Sequence, residues 1–459
     1  MNTKHTKLIC LMLVCAFALA VLVACNKVEE NDVPAIETTE APTTEATSEE
    51  TSEEETEETT EEVTTTYMQS LGLKEENLSD IMKNLFEGNE VKNETVFVID
   101  RGETRKLLYP ATEIISVTSY NGSITYTEGV DYVLENGCIK ILEGSSIPEV
   151  TSEVYYNYTA NAAIYVNHNG TNTSVYWGEG DTMTKYQVSV TYKHESTWEG
   201  FTQDNYSKIY DKLIKKLEAG EDVTFIFYGD SITCGATSSW FSGTGDQHSY
   251  SMLFTEAIAD LFGYTVHFID VSELKPGMIK PTPEDYVGGT RGTITYINPA
   301  VGGWTSSDGL TNFDTFVKPY VEQYGCDLFS VAFGMNDGNV PVNGTANTIK
   351  SIITKVAEIQ PETCALIVST MVPNNLATNG WYGNQESQEA AIGMKVLAQL
   401  NKANIPTAVA KMTSMSLSIL NNKEFLDYTG NNINHPNDFF NRVYAQTLLQ
   451  CVIGYENIN

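Results

Sequence analysis

Four residues in the C-terminal half of the chain have types suited to acyl transfer. Ser231 stands in "GDSITCGA" (229–236), directly after the apolar run "VTFIFY". A serine at a strand-to-loop turn, among small residues, can project its hydroxyl at the strand end. Alone it is a poor nucleophile and needs a base to take its proton. His435, in "DYTGNNINHPNDFF" (427–440), is a histidine of the kind that could act as that base. An acyl-transfer intermediate also needs donors for its oxyanion. Gly303, in "PAVGGWTSSDG", lets the backbone approach a substrate closely. Asn336, in "GMNDG", offers an amide donor that stays neutral at any working pH.

The elements around these residues read as α/β. From about Phe201, short apolar runs ("VTFIFYG", "TVHFID", "TITYIN", "DLFSVAFG", "ALIVSTMV", "PTAVAKM") alternate with longer amphipathic stretches. Helices are predicted at "NYSKIYDKLIKKLEAG" and over Tyr250–Phe262, Gly309–Tyr324, Thr345–Ile359, Gln385–Ala403 and Asn437–Ile453. Such alternation implies a parallel sheet covered on both faces. Ligand sites in these sheets lie beyond the C-terminal strand ends. Three of the four stretches above directly follow predicted strands.

The ordered set "GDSITCGA", "PAVGGW", "GMNDG", "NNINHPND" resembles the SGNH (GDSL-like) hydrolase family, over roughly residues 201–459. The resemblance implies a three-layer αβα domain, with Ser231 as nucleophile and His435 as base. It assigns the oxyanion donors to the Ser231 N–H, the Gly303 N–H and the Asn336 side chain. No cofactor is implied. The other histidines fit the base less well: His5 lies in an N-terminal leader, His168 and His194 in a β region, His267 inside a strand as a core residue, and His248 just before a helix that Ser249 could cap.

One position departs from the family pattern. Its D-x-x-H reads Asn432-Ile433-Asn434-His435 here. In serine proteases the equivalent Asp→Asn change costs about 10⁴-fold in kcat, through the wrong tautomer. The reading taken from the sequence is a Ser231–His435 dyad, oriented by a neutral oxygen of Asn432 or of the nearby backbone. Asp427 and Asp438 are alternative acids without the family spacing. Asp230 and Asp337 read as loop braces.

The N-terminus, "MNTKHTKLICLMLVCAFALAVLVAC", has a short basic region and then an apolar run, the pattern of a signal peptide over residues 1–24. "LVAC" resembles a bacterial lipobox, which implies lipidation at Cys25 and anchoring at the outer face of the membrane. Residues 25–66 are a tether. Fifteen acids face one lysine in 27–66, with almost nothing apolar to bury, so disorder is expected there. The chain carries net −33; taking away −14 for the tether and +2 for the leader leaves −21 for residues 67–459. That balance argues against nucleic acid as a partner. The five cysteines beyond Cys25 are far apart and expected as buried free thiols. The scattered histidines give no metal-ligand spacing.

Residues 67–200 read as an all-β region, sandwich or jelly-roll-like. Asn-Gly at 121–122, 136–137 and 169–170 sits between strand-like runs, and "KYQVSVTYKHE" alternates. A β region ahead of an SGNH region resembles carbohydrate acetylesterases, so an acetylated polysaccharide is the expected substrate. Trp240 and Trp304 are candidates to stack on sugar rings. A carbohydrate-binding protein on a degraded SGNH fold, or a short-chain lipase, is the alternative. Oligomeric state is not legible.

Overall fold

The computed structural model describes residues 78–159, 173–275, 280–281, 283–376, 381 and 383–454. The leader, Cys25, the acidic tether, His168 and the Asn169-Gly170 hairpin lie outside the described residues.

The β-rich region forms two antiparallel sheets among the described residues. One has the order β1 (Glu90–Phe97), β6 (Gln187–His194), β3 (Ala111–Ser119); the other has β2 (Thr104–Arg105), β5 (Cys138–Ile141), β4 (Tyr132–Glu135). Asn136 and Gly137 join β4 to β5 with φ of 53° and 77°. Two positive φ values in a two-residue hairpin are what that turn requires, and Asn-Gly supplies them at least cost.

The α/β region is a seven-stranded sheet in the order β13 (Thr407–Ala410), β12 (Cys364–Val368), β11 (Leu328–Ala332), β7 (Val223–Gly229), β10 (Thr293–Asn298), β8 (Thr265–Asp270), β9 (Tyr286–Val287). All described pairs are parallel except β8 with β9. Every residue of β7 is buried, as a central strand covered on both faces must be. Phe225 and Phe227 point into one core, with Leu366, Phe254 and Tyr444; Ile226 and Tyr228 point into another, with Val331, Ile353 and Val356. The period of two along the strand thus divides its side chains between two helical layers. The sheet is the middle of three layers, as expected.

The helices follow their predicted spans closely, with three differences. The first predicted helix starts at Asp211 and not at Asn205. The stretch 309–324 is broken into Ser306–Thr311, Phe313–Phe316 and Lys318–Tyr324, with Pro319 near the start of the last. The helix from Gln385 to Lys402 carries a π turn at Ile392–Val396. His267 corrects an expectation: it is not a core residue. It sits on the open side of β8, next to the edge strand β9, half-exposed and 3.0 Å from Asp285. The described cysteines are free; four are buried and Cys138 is half-buried.

The β-rich and α/β regions share one continuous core. Val96, Val190 and Tyr192 belong to the same cluster as Phe439, Val443 and Tyr444 of the last helix, Asp438–Val452. Arg442, fully buried on that helix, donates to the carbonyls of Lys92 (2.8 Å) and Asn93 (2.6 Å). Lys423 is buried between Glu94 (2.6 Å) and Asp427 (3.5 Å). The described residues all fall in one compact unit.

Candidate active site

Strand order reverses beside β7: the chain goes out to β8 and β9 on one side, returns to β10 next to β7, and then crosses to run outward through β11, β12 and β13 on the other. A crevice at the C-terminal strand ends is the ligand site such a reversal creates. Ser231 lies there, as the first residue of a single helical turn, Ser231–Cys234. Asp230 caps the turn by accepting the Ile232 N–H at 3.0 Å, and Gly235 closes it at φ 92°. A Cβ on Gly229 would run into the Ala332 carbonyl, so only glycine lets β7 leave the sheet here. Burial pushes the Asp230 carboxyl up to about 7, against the pull of the Ile232 N–H and of His435. It braces the turn, as its sequence context suggested.

His435 Nε2 lies 2.9 Å from Ser231 Oγ, and both residues are buried. The structure therefore brings together the predicted nucleophile and the predicted base. Their loops are locked to each other by Thr237, whose Oγ1 donates to the Pro436 carbonyl at 2.8 Å. Thr237 holds φ 65°, a costly conformation for a β-branched residue, kept in place by this bond and by packing against Gly430. After Pro436 the chain enters the last helix at once, with Asn437 accepting the Phe440 N–H at 3.1 Å as its cap.

Gly303 turns at φ 78° in the loop after β10, and a Cβ there would meet open space. That loop is tied to the nucleophile strand by the Val301 N–H, which donates to the Gly229 carbonyl at 3.1 Å. Asn336 follows β11. Its amide donates to the Trp304 carbonyl at 3.0 Å, which leaves the second N–H of the same nitrogen for a ligand. Asp337 accepts from the Ser306 N–H (3.0 Å) and hydroxyl (2.5 Å) and braces this loop. The ring of Trp304 is half-buried, edge-on to Phe316 at 4.8 Å, and that of Trp240 is edge-on to His248 at 5.0 Å. His248 pairs through Nδ1 with Glu256 rather than with the serine.

The expectation for the third group fails on geometry. Asn432 does not face His435. Its amide donates to the Tyr155 hydroxyl (2.9 Å) and the Tyr176 carbonyl (2.7 Å), and its oxygen accepts from Asn374 (3.0 Å). Asn432 holds φ 62°, a left-handed turn that carries its side chain away from the imidazole. The alternative acids are also engaged elsewhere: Asp427 accepts the Phe97 N–H (2.8 Å) and Asp438 the Ser239 N–H (2.8 Å). The oxygen at His435 Nδ1 is the Glu179 carboxylate, at 3.2 Å. Burial pulls the imidazole pKa down, but Glu179 and Asp230 outweigh it and hold it above the ordinary value. Glu179 is crowded by protein, which raises its own pKa, yet His435, the Asn431 amide and Lys275 hold it below the usual range. Its side chain is 46% exposed, so water screens this pair, and the open side rather than the crowding sets its strength.

Trp381 was also missed. Its indole N–H points at the Asn336 oxygen (3.4 Å), and it is half-buried between two cores. Neither "WGEGD" nor "GWYGN" carries a motif; the flanking glycines are the one hint that either loop makes a close approach.

Residues 225–440, just under half of the chain, match the family model described as GDSL-like Lipase/Acylhydrolase. Comparison with curated proteins gives no match. Among solved structures the chain is similar to a two-domain esterase active on acetylated mannans, crystallised with mannopentaose, at 19% identity and a TM-score of 0.39, covering 58% of this chain and 57% of that one. It is similar to an acetyl xylan esterase at 15% identity and a TM-score of 0.33, covering 50% of this chain and 100% of that one. It is also similar to an acetylxylan esterase from Geobacillus stearothermophilus, at 14% identity and a TM-score of 0.32, covering 50% of this chain and 93% of that one. The chain spans little more than half the length of the two-domain esterase.

Proposed function

We propose that this protein is a serine ester hydrolase that removes acetyl groups from a polysaccharide, held at the outer face of a bacterial membrane by a lipid on Cys25. The observation that carries the reaction class is the 2.9 Å approach of His435 Nε2 to Ser231 Oγ at the C-terminal end of β7. The match of residues 225–440 to a lipase and acylhydrolase family supports it.

In this reading Ser231 Oγ attacks the acyl carbon while His435 Nε2 takes its proton. The carbonyl oxygen becomes an oxyanion and accepts from the N–H groups of Ser231 and Gly303 and from the free N–H of the Asn336 amide. His435 returns the proton to the sugar oxygen as the ester C–O bond breaks, and the alcohol leaves. Water, deprotonated by His435, then attacks the acyl-serine; the bond between Ser231 Oγ and the acyl carbon breaks, His435 returns the proton to Oγ, and the acid leaves. No cofactor takes part.

The substrate class is inferred from the leader read as an export signal, from the long acidic tether and from the indoles beside Asn336. In this reading the tether holds the enzyme at the surface, where it meets a polymer too large to import. Trp381 beside Asn336 is the indole best placed to meet a sugar; Trp304, whose carbonyl accepts the Asn336 amide, is the second, while the ring of Trp240 lies against His248.

Turnover of p-nitrophenyl acetate by the protein, and its loss in Ser231→Ala, tests the reaction class. Absence of turnover on every short acyl ester would overturn it. Acetate release from acetylated xylan, mannan, pectin and peptidoglycan then sorts the substrate. Cys25→Ser is expected to release the protein from membranes, and unchanged retention would refute the anchor.

A further inference from the structure

We infer that Glu179, a residue of the N-terminal β-rich region, is the acid that positions His435, so that this region completes the catalytic apparatus of the α/β region. The inference rests on the Ser231–His435 reading and adds a residue and a role that the missing family aspartate had left open.

Both oxygens of the carboxylate lie 3.2 Å from His435 Nδ1, and Oε1 also accepts from the Asn431 side-chain amide at 2.9 Å. Asn431 is also the post around which the base loop is wound. Its Oδ1 accepts the N–H groups of Ile433 (2.9 Å), Asn434 (3.0 Å) and His435 (3.1 Å). Its own carbonyl accepts the Gly178 N–H at 3.2 Å. Glu179 and its neighbour are thus bonded to the residue that shapes the loop, and the carboxylate is not merely nearby.

An apolar contact supports the same docking independently. Leu426 and Ile433 of the base loop pack in one cluster with Phe97, Tyr155, Val175 and Met183 of the β-rich region. Gln187 on β6 donates to the Leu426 (3.1 Å) and Thr429 (2.8 Å) carbonyls. Asn432, with its amide on Tyr155 and Tyr176, pins the far side. The asparagine in the family's acid position therefore anchors the segment that brings a different acid.

The chemistry follows from position. A carboxylate at Nδ1 fixes the tautomer in which Nε2 is the free base, and it stabilises the imidazolium once the serine proton arrives. Glu179 acts through His435 and touches no substrate atom in this scheme; it is a positioning residue. Because water reaches the carboxylate, its loss should cost less than the roughly 10⁴-fold seen for a buried triad acid.

The test compares Glu179→Gln and Glu179→Asp with the parent protein, reading the pH profile of kcat on p-nitrophenyl acetate and the titration of the His435 ring by NMR. With Glu179 present, the acid limb lies above the ordinary imidazole pKa, since the base works only when neutral and its pKa is raised. Glu179→Gln should lower kcat roughly 10²-fold with KM nearly unchanged. It should also move the acid limb and the NMR pKa of His435 to lower pH. Glu179→Asp keeps the charge and should fall between the two. A glutamine variant that lost kcat with no movement of either pKa would make Glu179 a structural residue and overturn the inference. Full activity in the glutamine variant would overturn it too. If the parent shows no ester turnover, the reaction class fails; the NMR titration still reads whether Glu179 sets His435.

Discussion

Around Ser231 the contacts that shape the turn come from residues a few positions away: Asp230 caps it, Gly235 ends it, and the Ala236 N–H returns to the Ser231 carbonyl at 3.0 Å. Around His435 the loop is wound locally on Asn431, but the contacts that orient the imidazole and dock the loop come from across the chain. Glu179, Tyr155, Gln187 and Phe97 all reach the base loop from the β-rich region, and Asn374 reaches it from beyond β12. A site element built from its own neighbours can be recognised as a motif. One built from distant partners keeps only its central residue visible, because the partners answer to the fold and not to local spacing.

The largest expected effect treats the two halves alike. Ser231→Ala and His435→Ala should each lower kcat by about 10⁴-fold or more, leaving what the oxyanion donors and binding alone supply. Kinetics on p-nitrophenyl acetate with circular dichroism as a folding check decides it. Near-equal losses mean that the nucleophile and base act as one unit; a mild loss in either variant breaks the pairing.

The second prediction concerns stability, on the side that depends on distant partners. Removing Lys423 (Lys423→Met) leaves Glu94 and Asp427 buried beside one another without their ammonium. The cost expected is about 3–5 kcal/mol. Asp427 ends the short turn Phe425–Asp427 that leads into the base loop, so this loss should loosen His435 before Ser231. Chemical denaturation gives the magnitude, and hydrogen exchange shows which loop opens first. An unchanged denaturation midpoint would remove the network from the explanation.

The third is a donor. Asn336→Ala should lower kcat by about 10²- to 10³-fold, the usual cost of one oxyanion donor. Its other partners are the Trp304 carbonyl and Trp381, so a KM change would signal displacement of those indoles instead.

Most of the α/β region was legible because its signals are local. β7, β8 and β10 span the residues their apolar runs marked, and Asn437 caps the last helix where the sequence places the break. Ser231, Gly303 and Asn336 follow strands β7, β10 and β11 as expected. What stayed hidden is tertiary. His267 looked like core because its strand is apolar, but whether a strand face is covered depends on its neighbour in the sheet. Asn432 looked like the orienter because it holds the right spacing, but spacing cannot report a φ of 62°. Glu179 lies 256 residues from His435, and only the docking of two regions makes them adjacent.

The smallest effect separates spacing from geometry at Asn432. Asn432→Gly keeps the left-handed turn and loses the amide bonds, each worth about 0.5–1.5 kcal/mol. Asn432→Ala loses the bonds but, like the asparagine, keeps a Cβ at positive φ, a strain of roughly 1–2 kcal/mol that the glycine variant escapes. The alanine variant should therefore be the less stable of the two, and both should retain activity within about tenfold with the acid limb unmoved, since Glu179 still faces Nδ1. Asn432→Asp is the sharper case, because it restores the D-x-x-H spacing. Here the new carboxylate would face the Tyr176 carbonyl, an acceptor, where the amide had donated. It should lower stability and bring no gain in kcat. If it raised kcat and made Glu179→Gln harmless, the base loop would be able to orient its histidine from within, and its dependence on the β-rich region would be one solution of two and not a requirement of the fold.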